Sequence, residues 1–248
     1  KGPGWHCMTN AEYAAIAFWC KANGYYPRGN NNYGSDHGYP HEKCRPGTVG
    51  SDGRINLGLT GSGPNSWTHD GTPNGIYGLN GDGWEWATGL RTNNGEIQIL
   101  TGNNAAKNTA DLTAGSAEWK AILPDGTLVA PGTAGTLKID IVSGVPKIST
   151  TVKTTTSGDQ WPSTPFKDLA VESGITIPDI LKALAVFPSD NSDHGGDRFY
   201  ARNDGEKCFS RGGYWNYTSN AGVFYLYGSN PRSVSHGLIG FRPAYILL

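Results

Sequence analysis

Residues 210–224 read SRGGYWNYTSNAGVF, and residues 239–244 complete the pattern with IGFRPA. Gly, Ser, Asn and Tyr crowd these blocks, a composition of short strands and turns, because Gly raises the cost of ordering a helix. Trp and Phe are highly buried on average. Trp215 and Phe241, with Trp84 and Trp86 earlier in the chain, are therefore expected in the core. Tyr and Asn at the intervening positions are free to face outward on loops pinned by that framework.

The rest of the chain has the same character. It holds 248 residues with 36 Gly, 15 Pro, 11% aromatic and 17% charged side chains, and a net charge of −1. That is enough chain for one domain, or one domain with an insertion. The Gly content argues against helical bundles and coiled coils, and the aromatic content argues against disorder. Near-zero charge argues against a simple basic nucleic-acid binder, and no apolar run approaches the length of a membrane span. Cys7, Cys20, Cys44 and Cys208 form no CxxC pair. Two disulfides, one bridge with two free thiols, and four free thiols all remain open.

Thr9 followed by Glu12 has capping-box spacing, and Tyr13, Ile16, Ala17 and Cys20 form an apolar stripe at helical period. With Gly24 as a left-handed stop, a helix is expected over 10–23. From Gly24 to about Asn74 the chain is dense in turn formers and reads as loop. Trp84-Glu85-Trp86 and Glu96–Leu100 read as strands. Residues 101–160 are rich in Ala, Thr and Gly, and strands are expected at 128–130, 136–141 and 147–150. They read as a β-rich insertion or extended hairpin. A second helix is expected from Pro178 to about Val186, ended by Pro188.

Common catalytic signatures are missing: no GxSxG, HExxH, P-loop or dinucleotide fingerprint occurs. Asp36, His37 and His41 are close in sequence but not on a helix, and loop polar groups bonding the backbone are the simpler reading. Asp190, Asp193 and Asp197 could hold Ca²⁺, although their spacing is not that of an EF-hand. No metal ligand, catalytic residue or cofactor is assigned.

The RGGxW block, the two dozen residues after it and IGFRPA together resemble the end of a formylglycine-generating-enzyme-type C-type lectin domain. GIYGLNGDGWEW at 75–86 is similar to that family's G-[LIV]-Y-D-[LM]-x-G-N-V-W-E-W block, with Gly78, Asp82 and Gly83 where Asp, Asn and Val are usual. The opening Trp5–Tyr13 resembles its capped first helix. The resemblance implies an α+β C-type lectin fold over 1–248: short strands, two helices, many loops, and residues 101–160 inserted within it.

Within that family the C-terminal string resembles the variable region of diversity-generating retroelement target proteins, here 205–243. In these, an error-prone reverse transcriptase randomises adenines, mostly of AAC codons, at dispersed surface positions. The corresponding candidates are Tyr214, Asn216, Tyr217, Asn220, Tyr227, Ser229, Asn230, Val234, His236, Gly237 and Leu238. Randomising the two adenines of AAC excludes Lys, Glu, Gln, Met and Trp. Between Tyr214 and Leu238 none of these occurs except Trp215, a framework position.

The resemblance therefore implies a non-enzymatic ligand- or receptor-binding protein. It would meet a protein or glycan on a target cell surface, from a virion tail tip or a cell surface, without nucleic acid or membrane insertion. Two alternatives stand beside it. A sulfatase-modifying oxidase uses two cysteines late in the chain, and here Cys208 has no near partner in sequence. A Ca²⁺-dependent sugar lectin carries EPN, QPD or WND triplets, none of which occurs.

Overall fold

Thr9 caps the first helix, α1 (Asn10–Ala22), by accepting from the Glu12 backbone, while the Glu12 carboxylate accepts from the Thr9 N–H. At the other end Gly24, at φ 63, and Tyr25 donate back to Lys21 and Cys20, satisfying carbonyls the helix leaves open. In the computed structural model, which describes residues 2–247, α1 lies against a twelve-stranded sheet. Tyr13, Ala14, Ala17 and Cys20 face the core. Phe18 packs edge-on against Phe224 of the sheet, with ring centres 5.5 Å apart.

In chain order the first strands are β1 (Trp5–Cys7), β2 (Trp84–Asn93), β3 (Glu96–Leu100), β4 (Trp119–Ile122), β5 (Leu128–Val129), β6 (Lys138–Val142) and β7 (Val145–Ser149). They are followed by β8 (Ser163–Pro165), β9 (Ala170–Val171), helix α2 (Asp179–Ala183), β10 (Arg198–Ala201), β11 (Glu206–Gly212), β12 (Gly222–Asn230), β13 (Ile239–Phe241) and β14 (Pro243–Tyr245). The main sheet runs β8-β10-β12-β11-β2-β3-β6-β7-β9. Strand β13 joins β2 in parallel, and β4 with β5 extends from β3. Strands β1 and β14 form a separate pair, so the two ends of the chain lie side by side. The chain is mostly β, α+β and rich in loops.

Strands from 101–160 pair into this same sheet, and Ile122, Leu137, Ile139, Ile141 and Ile148 belong to the same buried cluster as Phe199, Phe224 and Leu226. Strand β3 falls at the expected Glu96–Leu100, and the hairpin expected at 136–141 and 147–150 forms as β6 and β7 with bounds shifted by one or two residues. The loop-rich stretch after α1 is tied down by its own polar side chains. The Asp36 carboxylate accepts from the backbone of Gly29, Gly38 and Tyr39 and from Asn31 Nδ2.

Two expectations are corrected. Helix α2 ends at Ala183, short of Val186, because Ala185 takes a left-handed φ of 46. Its own carbonyl and that of Leu184 are then claimed by distant side chains: Asn10 donates to Leu184 O, and Arg211 to Leu184 O and Ala185 O. The four framework aromatics do not all lie inside. Trp215 is buried at 6% exposure, Trp84 and Trp86 are half-buried, and Phe241 is 66% exposed. Phe241 ends a three-residue strand that pairs with Trp86 where β2 lacks a longer neighbour, so no layer covers it.

Candidate binding face

Strand β12 separates two environments by simple alternation. Phe224 and Leu226 point into the core, while Tyr225 and Tyr227 belong to a second, purely aromatic group. Tyr200 on β10 lies beside Tyr227 in parallel register, its ring 5.5 Å away. Trp84 at the start of β2 completes the floor, its indole N–H donating to the Tyr225 hydroxyl at 3.0 Å.

A tight turn lays two more tyrosines on this floor. Gly212 and Gly213 both have φ 85, which lifts the chain off the end of β11. Trp215 then anchors it: its N–H donates to Asp82 O, and its carbonyl accepts from Tyr33 N–H. Thr218 N–H donates to Asn31 O, so the early loop clamps the turn on a second side. Tyr214 stacks on Trp84 with centres 4.6 Å apart and planes 10° off parallel. Tyr217 stands edge-on to both Trp84 and Tyr214.

Burial pushes the Tyr227 phenol up to about 12, and raises those of Tyr214, Tyr217 and Tyr225 as well. The phenols are therefore neutral at physiological pH, and the cluster presents rings and hydroxyls rather than charge. Next to it Arg54 lies over the Tyr33 ring at 3.5 Å. Tyr214 and Tyr217, half-buried on the turn, thus offer ring area with hydroxyl groups over a buried floor of Tyr225 and Tyr227, the pairing that makes Tyr effective in binding surfaces.

The candidate residues fall into three settings. Tyr214, Tyr217 and Tyr227 meet around Trp84, with Asn216 exposed and Asn220 half-buried in the same turn. Tyr227 and Ser229 are 6% and 3% exposed, so on β12 they line the interior of the face rather than its surface. Asn230 ends the strand, half-buried. Val234, His236, Gly237 and Leu238 lie on the following connection, with His236 and Gly237 exposed. Leu238 O accepts from Trp84 N–H, and Gly237 and Leu238 border a 220 Å³ hollow beside Trp84 and Asp82.

Sequence reading missed Tyr200 and Tyr225. Alternation in Arg198–Ala201 and in Val223–Tyr227 places the tyrosines opposite the core residues of each strand, but that Tyr200 meets Tyr227 follows only from the sheet order. The carboxylates weighed for Ca²⁺ have separate engagements. Asp190 pairs with Lys21 at 2.7 Å, Asp193 accepts from Gly195 N–H, and Asp197 is fully buried, accepting from Phe224 N–H. Among the described residues no three His, Cys, Asp or Glu side chains gather as metal ligands. All four cysteines are free thiols. Among the described residues no helix is long and apolar enough to cross a membrane.

No model of a known protein family matches the chain, and no curated protein matches it.

Proposed function

We propose that the chain is a non-enzymatic binding protein: a C-type lectin scaffold of the formylglycine-generating-enzyme type whose C-terminal segment carries diversified residues. Its role is recognition of a protein or glycan on a target cell, from a virion tail tip or a cell surface. The observation that carries this reading is the tyrosine turn stacked on Trp84. Tyr214, Asn216 and Tyr217 sit on loop backbone held by other parts of the chain, so their side chains are free to change while the scaffold holds. The Glu85–Arg242 pair adds support, because it joins the two motif blocks on which the resemblance rests.

Sequencing codons 205–245 from many individuals of the source population tests it. Substitutions gathered at Tyr214, Asn216, Tyr217, Asn220, Tyr227, Ser229, Asn230, Val234, His236, Gly237 and Leu238, between unchanged Trp215 and 239–242 codons, are expected. A uniform segment overturns the diversification.

The oxidase reading has one observation in its favour: Cys7 and Cys208 line the same pocket. Against it, burial pushes the Cys7 thiol up to about 11 and raises that of Cys208, and the thiolate is the reactive form. Copper-dependent oxidation of a cysteine peptide by the purified chain would establish it instead.

A further inference from the structure

Strand β2 breaks register against β11 in mid-course. Phe209 pairs with Ala87, but the next residue, Cys208, pairs with Arg91, leaving Thr88, Gly89 and Leu90 without partners on that strand. On its other side β11 slips again, since Cys208 faces Asn230 and Ser210 faces Tyr227. Cys208 therefore sits where the sheet is irregular on both flanks, and such bulges recur beside functional sites. Gly89 turns with φ 80, and a methyl group there would lie 2.8 Å from Ala105 Cβ, so the break depends on glycine.

A cavity of 340 Å³ opens over this break. Trp86, Trp119, Leu112 and Phe241 line it, with Cys7 and Cys208 in its wall. Its volume lies at the lower end of the range for small-molecule sites. None of its lining residues belongs to the tyrosine face or to the candidate variable positions. We propose that this cavity binds a small, uncharged, ring-bearing molecule, in a site separate from the tyrosine face.

The charge argument comes from the rim. Among the described residues Arg232 is the only ionic one in the lining, and Glu206 already holds it through two hydrogen bonds of 3.1 and 2.8 Å. Glu206 in turn binds Arg91 at 2.8 Å, so both guanidinium groups are engaged. The Cys7 thiol donates weakly to Trp86 O at 3.6 Å. Both thiols stay protonated near neutral pH because burial raises them. The cavity thus presents two indoles, a phenyl ring and aliphatic groups, and its one ionic side chain is already held by Glu206. A flat apolar ring fits that lining, whereas a charged group would lose its water against apolar walls and meet only an arginine already engaged with Glu206.

The test uses the full chain with N-phenyl-1-naphthylamine, an uncharged fluorescent probe, and 8-anilinonaphthalene-1-sulfonate, its charged analogue. The neutral probe is expected to saturate at one molecule per chain and to bind at least about tenfold tighter than the sulfonate. Leu112→Trp, which fills the cavity from a loop, is expected to weaken it by about tenfold or more. The natural chain gives an independent readout: probe at saturation should slow iodoacetamide labelling of Cys7 and Cys208, but not of Cys44, which lies elsewhere. Non-saturating fluorescence, equal affinity for the sulfonate, or labelling of Cys7 and Cys208 that the probe leaves unchanged would each overturn the proposal.

Discussion

Arg242 grips Glu85 with two nitrogens, Nε on Oε2 at 3.0 Å and a terminal nitrogen on Oε1 at 2.9 Å. The Tyr13 hydroxyl donates to the same carboxylate. One side chain of β2 therefore joins α1 to the segment after β13. Arg242 also donates to Gly78 O, and its own carbonyl accepts from Met8 N–H. The GWEW and GFRP strings lie far apart in sequence but are two halves of one bidentate contact, the geometry in which Arg binds carboxylates best.

Breaking this contact from either side should remove the same coupling, so the two losses should not add. Both side chains are mostly buried, at 20% and 16% exposure. Glu85→Gln and Arg242→Gln are each expected to lower unfolding free energy by about 2 kcal/mol, less than a fully buried pair because water still reaches this one. In urea denaturation the double variant should lose clearly less than the sum of the two. Additive losses would show that the pair is not coupled.

The Asp197 carboxyl is fully enclosed, and burial pushes it up to about 8. It is protonated in the folded chain over a range where the unfolded chain has released its proton, so folding takes up a proton there. Its contribution is complete below its unfolded value of about 4 and is lost as pH rises through its folded value. Stability should therefore fall across roughly pH 4 to 8, and Asp197→Asn should flatten that slope. An unchanged slope in the variant would assign the pH dependence to other groups.

Gly213 starts the tyrosine turn with φ 85, and an added methyl would meet Ala221 Cβ at 2.7 Å. Gly213→Ala is expected to cost about 2 kcal/mol in left-handed strain. It should also move the Tyr214 ring off Trp84, seen as a red shift in tryptophan emission. A variant with unchanged melting temperature and emission would contradict the geometry.

Tyr214 and Trp84 touch each other but should respond differently to truncation. Tyr214 is half-exposed on a turn, so Tyr214→Ser should cost under about 1 kcal/mol while baring the indole. Trp84 contacts Tyr214, Tyr217 and Tyr227 and bonds Tyr225, so Trp84→Ala should cost about 3 kcal/mol. Thermal melts of both variants give the comparison. Equal losses would mean that Tyr214 is part of the scaffold.

What the sequence made legible is what neighbouring residues decide. The capping box of α1, its glycine stop, β3 and the β6–β7 hairpin each follow from a few adjacent side chains. The end of α2 does not, because Ala185 is held left-handed while Arg211 and Asn10 take the carbonyls around it. Phe241 was read as core on average burial, yet its exposure depends on the missing neighbour of a three-residue strand. Of the candidate binding face, the turn at 214–217 is legible as a motif. Tyr200 was not, because only sheet order brings β10 beside β12. The cavity beside Cys208 was also hidden, since register breaks leave no local trace beyond a lone Gly89.

The position of Trp84 has a consequence for any library built on this segment. Three candidate positions, 214, 217 and 227, lean on one fixed indole. A smaller residue at one of them uncovers ring surface that the other two can then reach. If this segment binds as proposed, their effects on affinity are expected to be epistatic, with the same tyrosine contributing differently from one neighbourhood to the next. Under the proposed function, a repertoire here is a set of packed combinations around a shared tryptophan, and scanning one position at a time would undercount it.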